Sequence, residues 1–285
     1  MKEIARLGLV RPLWAAFAAL AVVLALSAAP ALAATKAPAT TSPKVDPEAR
    51  AILFKMADFL AKAPAFSVTI RSGYDAIQSN GQPIEFGERR RILLQRPDRL
   101  RVDVERSDGD EGLVLFDGKG ITAFKADDNA YARVEKSGTV DDALVYLVRD
   151  LQMTLPLARM FHTRFSKYLE SQITSIVEVE EDYLFDVPTD HLAARSADVD
   201  LQLWIAQGEQ PLPRRIILTY KNAPGHPQFR ADLSDWDLSP TVAADSFSFI
   251  PPAGAEQIPF LAPQRQKGSL PVQKGSLPVK KGDKR

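Results

Sequence analysis

Apolar and polar side chains alternate with a period of two along much of the chain, and the first such segment begins at Phe66. The segment 99–106 shows the same alternation, and the pairs Asn80-Gly81 and Asp117-Gly118 lie between alternating segments. A period of two is typical of a β-strand with one buried face, and an Asn-Gly or Asp-Gly pair favours a tight hairpin turn. The pattern therefore predicts an antiparallel meander with one solvated face and one apolar face.

The alternation predicts two sets of strands with a helical region between them. The first set begins at Phe66 and continues at about 84–95, 99–106, 112–117, 120–126 and 130–135. The second set lies at about 173–180, 182–187, 190–195, 198–206, 213–221, 228–237 and 246–249. Strand runs followed by helices and then by more strands are typical of an α+β fold.

Helical periodicity appears at three places. Asp46 and Pro47 are suited to the N-cap and the first position of a helix, and an apolar stripe follows over 52–60. Thr139 to Asp142 resembles a capping box before a second stripe that reaches Leu151, and 155–169 is a third helical stretch, broken near Pro156. These stripes are too few to cover ten or more strands as a flat layer. We therefore expect a curved, half-open β-barrel with a few helices over its concave side, which tends to leave a cavity.

The two ends of the chain differ from this body. Residues 1–33 have a basic start, an apolar core and an Ala-x-Ala site, which predict a secretory signal peptide cleaved near Ala33. The Pro- and Thr-rich residues 34–45 are typical of a disordered linker, the folded domain is expected over 46–262, and 263–285 form a basic tail in which QKGSLPV occurs twice. We expect a soluble periplasmic protein whose tail either touches an anionic membrane surface or has no function.

The formal net charge of zero conceals an acidic body. The signal holds three of the 36 basic and one of the 36 acidic residues, and residues 264–285 hold seven and one. The remainder therefore carries 26 basic and 34 acidic side chains, a net charge of −8. An acidic body argues against nucleic acid as a partner.

The sequence lacks the usual elements of a hydrolase or a metal site. It has no cysteine, and therefore neither a disulfide nor a site for acylation, and it has no Gly-x-Ser-x-Gly motif. Its three histidines have no metal-ligand spacing, and only His191 is a candidate for a ligand pocket, the alternative being a structural histidine. We therefore expect no enzyme activity and no cofactor.

Several segments resemble the LolA/LolB lipoprotein-carrier superfamily. They are RPDRLRVDVE, LVLFDGKGITAFKADDNAYARVE, the helix TVDDALVYLVRDL and the closing DSFSFIPPAGAEQIPF. The segment VDLQLWIAQGEQPLPRRIILTYKNAPGHPQFRADLSDW is similar to a family of predicted periplasmic proteins within that superfamily. The resemblance implies an incomplete curved barrel around an apolar cavity for acyl chains. It also implies an arginine hydrogen-bonded to a lid, which the sequence alone assigns to no single position.

On these grounds we expect a monomeric carrier of a hydrophobic ligand, such as a lipid or a lipoprotein. The alternative is an envelope protein-interaction module without a lipid cavity. Arg90 is a candidate for a headgroup or a lid carboxylate, the alternative being a cross-strand ion pair with Asp103 or Glu105. The candidate cavity residues are Phe66, Val68, Ile70, Phe86, Arg90, Ile92, Leu94, Leu100, Val102, Leu144, Leu147, His191, Trp204 and Tyr220.

Overall fold

The structure is a computed structural model, and it describes residues 44–151, 153 and 155–260. The predicted signal peptide, nearly all of the predicted linker, and the basic tail lie outside the described residues. A single sheet of 12 strands dominates the described part, in the spatial order β12-β6-β5-β4-β3-β2-β1-β11-β10-β9-β8-β7. The strands are β1 Ala65–Ile77, β2 Pro83–Gln95, β3 Arg99–Arg106, β4 Glu111–Phe116, β5 Gly120–Lys125, β6 Ala130–Glu135, β7 Ser175–Leu184, β8 Val187–Arg195, β9 Val199–Ala206, β10 Pro213–Tyr220, β11 Gln228–Asp237 and β12 Glu256–Gln257.

Two meanders, β1–β6 and β7–β11, are joined into this sheet by the antiparallel pairing of β1 with β11. The pairing is antiparallel throughout except between β12 and β6, which are parallel. The first meander matches the predicted strands to within a residue or two. The predicted curved, mainly β architecture is confirmed.

The first helix, α1 (Pro47–Lys62), begins as its sequence predicts. The side chain of Asp46 accepts hydrogen bonds from the N–H groups of Glu48 and Ala49, and Pro47 needs no partner at the first position. The helix ends before Pro64, since a residue that precedes proline disfavours the helical conformation. Its buried stripe contacts β7, β8 and β9, so one face of the sheet is covered by helices.

The helical region between the meanders is less regular than predicted. Thr139 and Asp142 form the predicted capping box of α2 (Val140–Val145). The expected continuous helix to Leu151 is wrong, because Tyr146–Asp150 form one π-helical turn. The predicted helix over 155–169 is likewise only a 3₁₀ turn, Ala158–Phe161, followed by α3 (Phe165–Gln172).

Two strand predictions in the second half are also wrong. The predicted strands 173–180 and 182–187 are the single strand β7, whose register shifts between Glu178 and Glu180. The residues 246–249 comprise the end of a turn and irregular backbone, and no strand. The rings of Phe124 and Tyr131 lie 5.7 and 5.3 Å from that of Phe249, so this segment packs on the outer face of the sheet, opposite the helices.

Candidate functional site

The helix-covered face of the sheet is apolar across its central strands. Strand alternation places every second residue of β1, β2 and β3 on this face, and cross-strand register aligns them. The members from the sequence prediction are Phe66, Val68, Ile70, Ile92, Leu94, Leu100 and Val102. All are buried except Val102, which is partly buried, and they form one core with α1. Their alternation in the sequence therefore identified a real apolar surface.

A short irregular segment, here called the lid, packs against this face. We define the lid as residues 146–151 and 155–161. Its side chains Leu147, Leu157, Met160 and Phe161 belong to the same core, and the ring of Phe161 lies 5.7 Å from the ring of Phe66. The lid begins with the π-helical turn, in which the Leu151 N–H donates to the Tyr146 carbonyl. Such turns replace ordinary helical hydrogen bonds and often occur at functional sites.

Arg96, at the turn between β2 and β3, fastens the lid. Its Nη2 donates to the carbonyl of Phe161 at 2.9 Å, and its Nε donates to the carbonyl of Ala63 at 3.2 Å. A third guanidinium nitrogen lies 3.7 Å from Oδ1 of Asp141. Burial lowers the pKa of the guanidinium, and Asp141 opposes that effect, but arginine remains charged at any physiological pH. Arg96 thus makes a hydrogen bond to the lid, and whether it corresponds to the arginine implied by the family resemblance stays a prediction.

Asp141, at the start of α2, connects the two ends of the lid through hydrogen bonds. Its carboxylate accepts a 3.0 Å hydrogen bond from the N–H of Thr163 and a second one from the hydroxyl of Thr163. Thr163 follows the lid, whereas Asp141 precedes it. The two ends of the lid are therefore held together, and one carboxylate joins them to Arg96.

The interior beneath the lid is filled by the protein's own side chains. Leu144 and Leu147, two further residues from the sequence prediction, are buried in it. Two clefts of about 700 and 410 Å³ occur elsewhere, and the core residues of the helix-covered face line neither of them. In this closed arrangement the predicted cavity residues are core residues. Their contact with a ligand stays a prediction.

The far rim of the helix-covered face is more polar. Arg90 shares this face with Ile92, as expected, but its ion pair is with Glu88 at 2.6 Å. The predicted alternative pairing with Asp103 or Glu105 is wrong, because those residues lie opposite Arg91 and Arg89 in the register. Near this pair, the rings of Tyr74 and Phe86 stack at 5.9 Å. Tyr220 is a partly buried residue packed on the core, and burial raises the pKa of its hydroxyl.

His191 and Trp204 lie on the outer face. Their neighbours Leu192 and Leu203 belong to the core, so alternation turns His191 and Trp204 away from it. The two rings stack at 3.9 Å, and the indole N–H of Trp204 donates to Asp182. These two candidates cannot line the same cavity as Phe66. The predicted residue set is therefore divided between two faces of the sheet.

Neither a candidate metal site nor a membrane-spanning helix occurs among the described residues. No group of three or more His, Asp or Glu side chains there could hold a metal ion. Over the same residues, no helix is both long and apolar enough to cross a membrane.

Comparison with solved structures finds matches at low identity, with TM-scores below 0.5. LprF from Mycobacterium bovis is 12% identical over 72% of this chain and 99% of its own, with a TM-score of 0.46. The LolA superfamily protein NE2245 from Nitrosomonas europaea is 14% identical over 70% and 97%, with a TM-score of 0.38. The Pseudomonas aeruginosa MucA/MucB complex matches with 15% identity over 71% and 61%, with a TM-score of 0.39.

The described part of the chain forms one open, curved sheet of 12 strands with few helices. Among curated proteins, none matches the sequence. A family model described as "Predicted periplasmic protein (DUF2092)" matches residues 49–261, which is most of the chain. The protein therefore belongs to this family of predicted periplasmic proteins.

Proposed function

We propose that this protein is a non-catalytic periplasmic binding protein for the acyl chains of a lipid or lipoprotein. The observation that carries the proposal is the lid, an irregular apolar segment held against the apolar face by the side chain of Arg96. Displacement of the lid breaks few hydrogen bonds and uncovers a continuous apolar surface. A ligand would then take the place of the lid side chains.

The free energy of acyl burial sets the size of the ligand. One chain of about 14 methylenes gains about 11 kcal/mol on burial at about 0.8 kcal/mol each. Association costs roughly 4–15 kcal/mol, and release of the lid adds to that cost. One chain is therefore marginal, and a ligand with two chains is favoured.

Photo-crosslinking with a diazirine-labelled fatty acid tests the proposal and locates the site. The protein purified from its own periplasm is first examined by native mass spectrometry for retained lipid. We expect a lipid adduct, and we expect the probe to label peptides of β1, β2 and the lid. The absence of both lipid and probe binding would refute the proposal. Labelling confined to the outer face, around Trp204, would also refute it.

A second candidate function, protein binding in the envelope, is favoured by the exposed edge of the sheet. Strand β7 is the last strand at its edge, and residues 44–46 cover only its beginning, through a bridge between Val45 and Ile176. Beyond that bridge, Tyr183 is 76% exposed and Phe185 is 65% exposed. Exposed apolar side chains beside an open strand edge are typical of a strand-pairing interface.

A photo-reactive amino acid at position 183 tests this second function in living cells. We expect one discrete protein adduct if the edge binds a partner. The matched control is the same amino acid at Ile250, which is 85% exposed but lies away from β7. Equal adducts at both positions, or none at Tyr183, would exclude binding at this edge.

A further inference from the structure

A cleft of about 700 Å³ lies on the outer face, on the side of the sheet opposite the lid. Its lining comes from the five adjacent strands β3, β2, β1, β11 and β10. Gly73 and Gly87 are paired directly across β1 and β2 at its floor. The side chain of Glu85 lies over Gly73, whereas the Cβ position of Gly87 has no neighbour closer than 3.7 Å, so the bare backbone of the floor is that of Gly87. Glycine within a strand often marks a place where a ligand approaches closely.

Arginines on neighbouring strands form the wall beside this floor. Arg71 of β1 lies directly opposite Arg89 of β2, and Arg215 and Asp232 continue the same row across β10 and β11. Like charges placed directly opposite each other destabilise a sheet. On their other sides, Arg71 lies opposite Asp232 and Arg89 lies opposite Glu105, so the row from Arg215 to Glu105 holds three arginines and two carboxylates and keeps a net positive charge.

Most of the other arginines here are already neutralised. Arg215 pairs with Asp232 at 2.6 Å, Arg230 pairs with Asp75 and Glu85, and Arg89 pairs with Glu105. These ion pairs hold the walls of the cleft in place.

Arg71 is the exception. Its only hydrogen bond among the described residues goes to the hydroxyl of Ser234 at 3.2 Å, and no described carboxylate lies within ion-pair distance. The Nε of the adjacent Arg89 is buried without a hydrogen-bond partner. An unpaired guanidinium and an unused N–H donor therefore belong to residues that face each other across β1 and β2, two positions from the glycine pair.

We infer that this cleft binds an oxyanion, the phosphate group of a small molecule or of a lipid headgroup, between Arg71 and Arg89. Guanidinium groups bind phosphate through paired, charge-assisted hydrogen bonds. The anion relieves the repulsion between the two arginines, and the bare backbone at Gly87 leaves room for the group that carries the phosphate. The site is independent of acyl binding, because it lies on the other face of the sheet.

The test uses the mature protein at constant ionic strength with two probes. One is inorganic phosphate, followed by calorimetric titration, and the other is vesicles of phosphatidylcholine with and without phosphatidylglycerol. Arg71→Gln removes the unpaired charge. Arg91→Gln is the matched control, since Arg91 is an exposed residue of β2 on the same face but outside the cleft.

Gly87→Val provides a second variant that fills the cleft without changing charge. A Cβ at Gly87 would meet nothing closer than the Ser72 carbonyl at 3.7 Å, which is ordinary van der Waals contact, and circular dichroism of the variant checks that it folds. Loss of a charge-assisted hydrogen bond weakens binding by about tenfold. We expect that loss for Arg71→Gln, a loss in the same direction for Gly87→Val, and less than about a twofold change for Arg91→Gln.

The results of the phosphate and vesicle titrations support or overturn the inferred site. Saturable binding of inorganic phosphate that Arg71→Gln weakens supports the site and shows that a free phosphate suffices. Binding only to phosphatidylglycerol vesicles, weakened by the same variant, supports the site and identifies a headgroup. Binding of neither probe, or equal weakening by Arg71→Gln and Arg91→Gln, overturns the inference.

Discussion

The replacement of Arg96 by methionine tests whether the lid is held by one side chain. The substitution keeps an unbranched side chain of similar length and removes every donor. It deletes hydrogen bonds of 2.9 and 3.2 Å to the carbonyls of Phe161 and Ala63. Hydrogen bonds to charged groups contribute about 1.5–3 kcal/mol each. The contact with Asp141 at 3.7 Å adds little, because Thr163 still binds that carboxylate.

Part of this loss of stability is offset, because burial of the charged guanidinium is itself unfavourable. The lowered pKa of Arg96 indicates that cost. The net loss is then about 2–4 kcal/mol, which leaves a domain of ordinary stability folded. The loss falls on the lid, so we expect its amides to exchange with solvent about 30 to 700 times faster. The amides of the central strands β1 and β2 should exchange at rates set by global unfolding alone.

Hydrogen exchange measured by mass spectrometry, together with urea denaturation, gives both quantities. Arg91→Met is the matched control, because Arg91 lies exposed on β2, the strand that leads to Arg96. It should change the free energy of unfolding by less than about 0.5 kcal/mol. Lid amides that exchange at the normal rate in Arg96→Met would refute the proposed role of Arg96. So would an equal acceleration across the whole sheet.

Two further substitutions test the local structure. Thr139→Ala removes the side chain that caps α2 and should lower the free energy of unfolding by about 1 kcal/mol in urea. Asp117→Asn should flatten the fall of stability in acid. Burial raises the pKa of Asp117, but hydrogen bonds from the N–H groups of Lys119 and Gly120 and from Arg133 outweigh it, so the pKa lies below its ordinary value. Ionised Asp117 therefore stabilises the fold above about pH 4, and unfolding followed against pH should show this contribution disappear below that value only when Asp117 is present.

The strands of the first meander could be predicted because each has one wet and one dry face. The same reasoning failed where that condition does not hold. In β9 the four residues from Leu203 to Ala206 are all buried, since both faces are covered there. The sequence therefore could not show that Trp204 points away from the core. In β7 the register shift at Glu178 interrupts the alternation, which made one strand resemble two.

Contacts that depend on distant parts of the chain left weaker signals. The alternating residues 246–249 resembled a strand, although Phe249 satisfies the pattern by packing on Phe124 and Tyr131 without backbone pairing. Arg96 was missed because its role depends on carbonyls at positions 63 and 161. The one available signal was its position before Pro97 within the quoted RPDRLR segment.

The pairing of β1 with β11 has a consequence for how the chain folds. Ser67 pairs with Asp237, so one of the central ladders of the sheet joins residues from opposite ends of the domain. The early meander can assemble from local contacts, but its β1 border has no neighbour until residues 228–237 arrive. Unpaired borders recruit strands from other molecules, and such distant pairings form slowly. Aggregation during refolding should therefore compete with this single closing step, and a chain truncated before β11 should aggregate most.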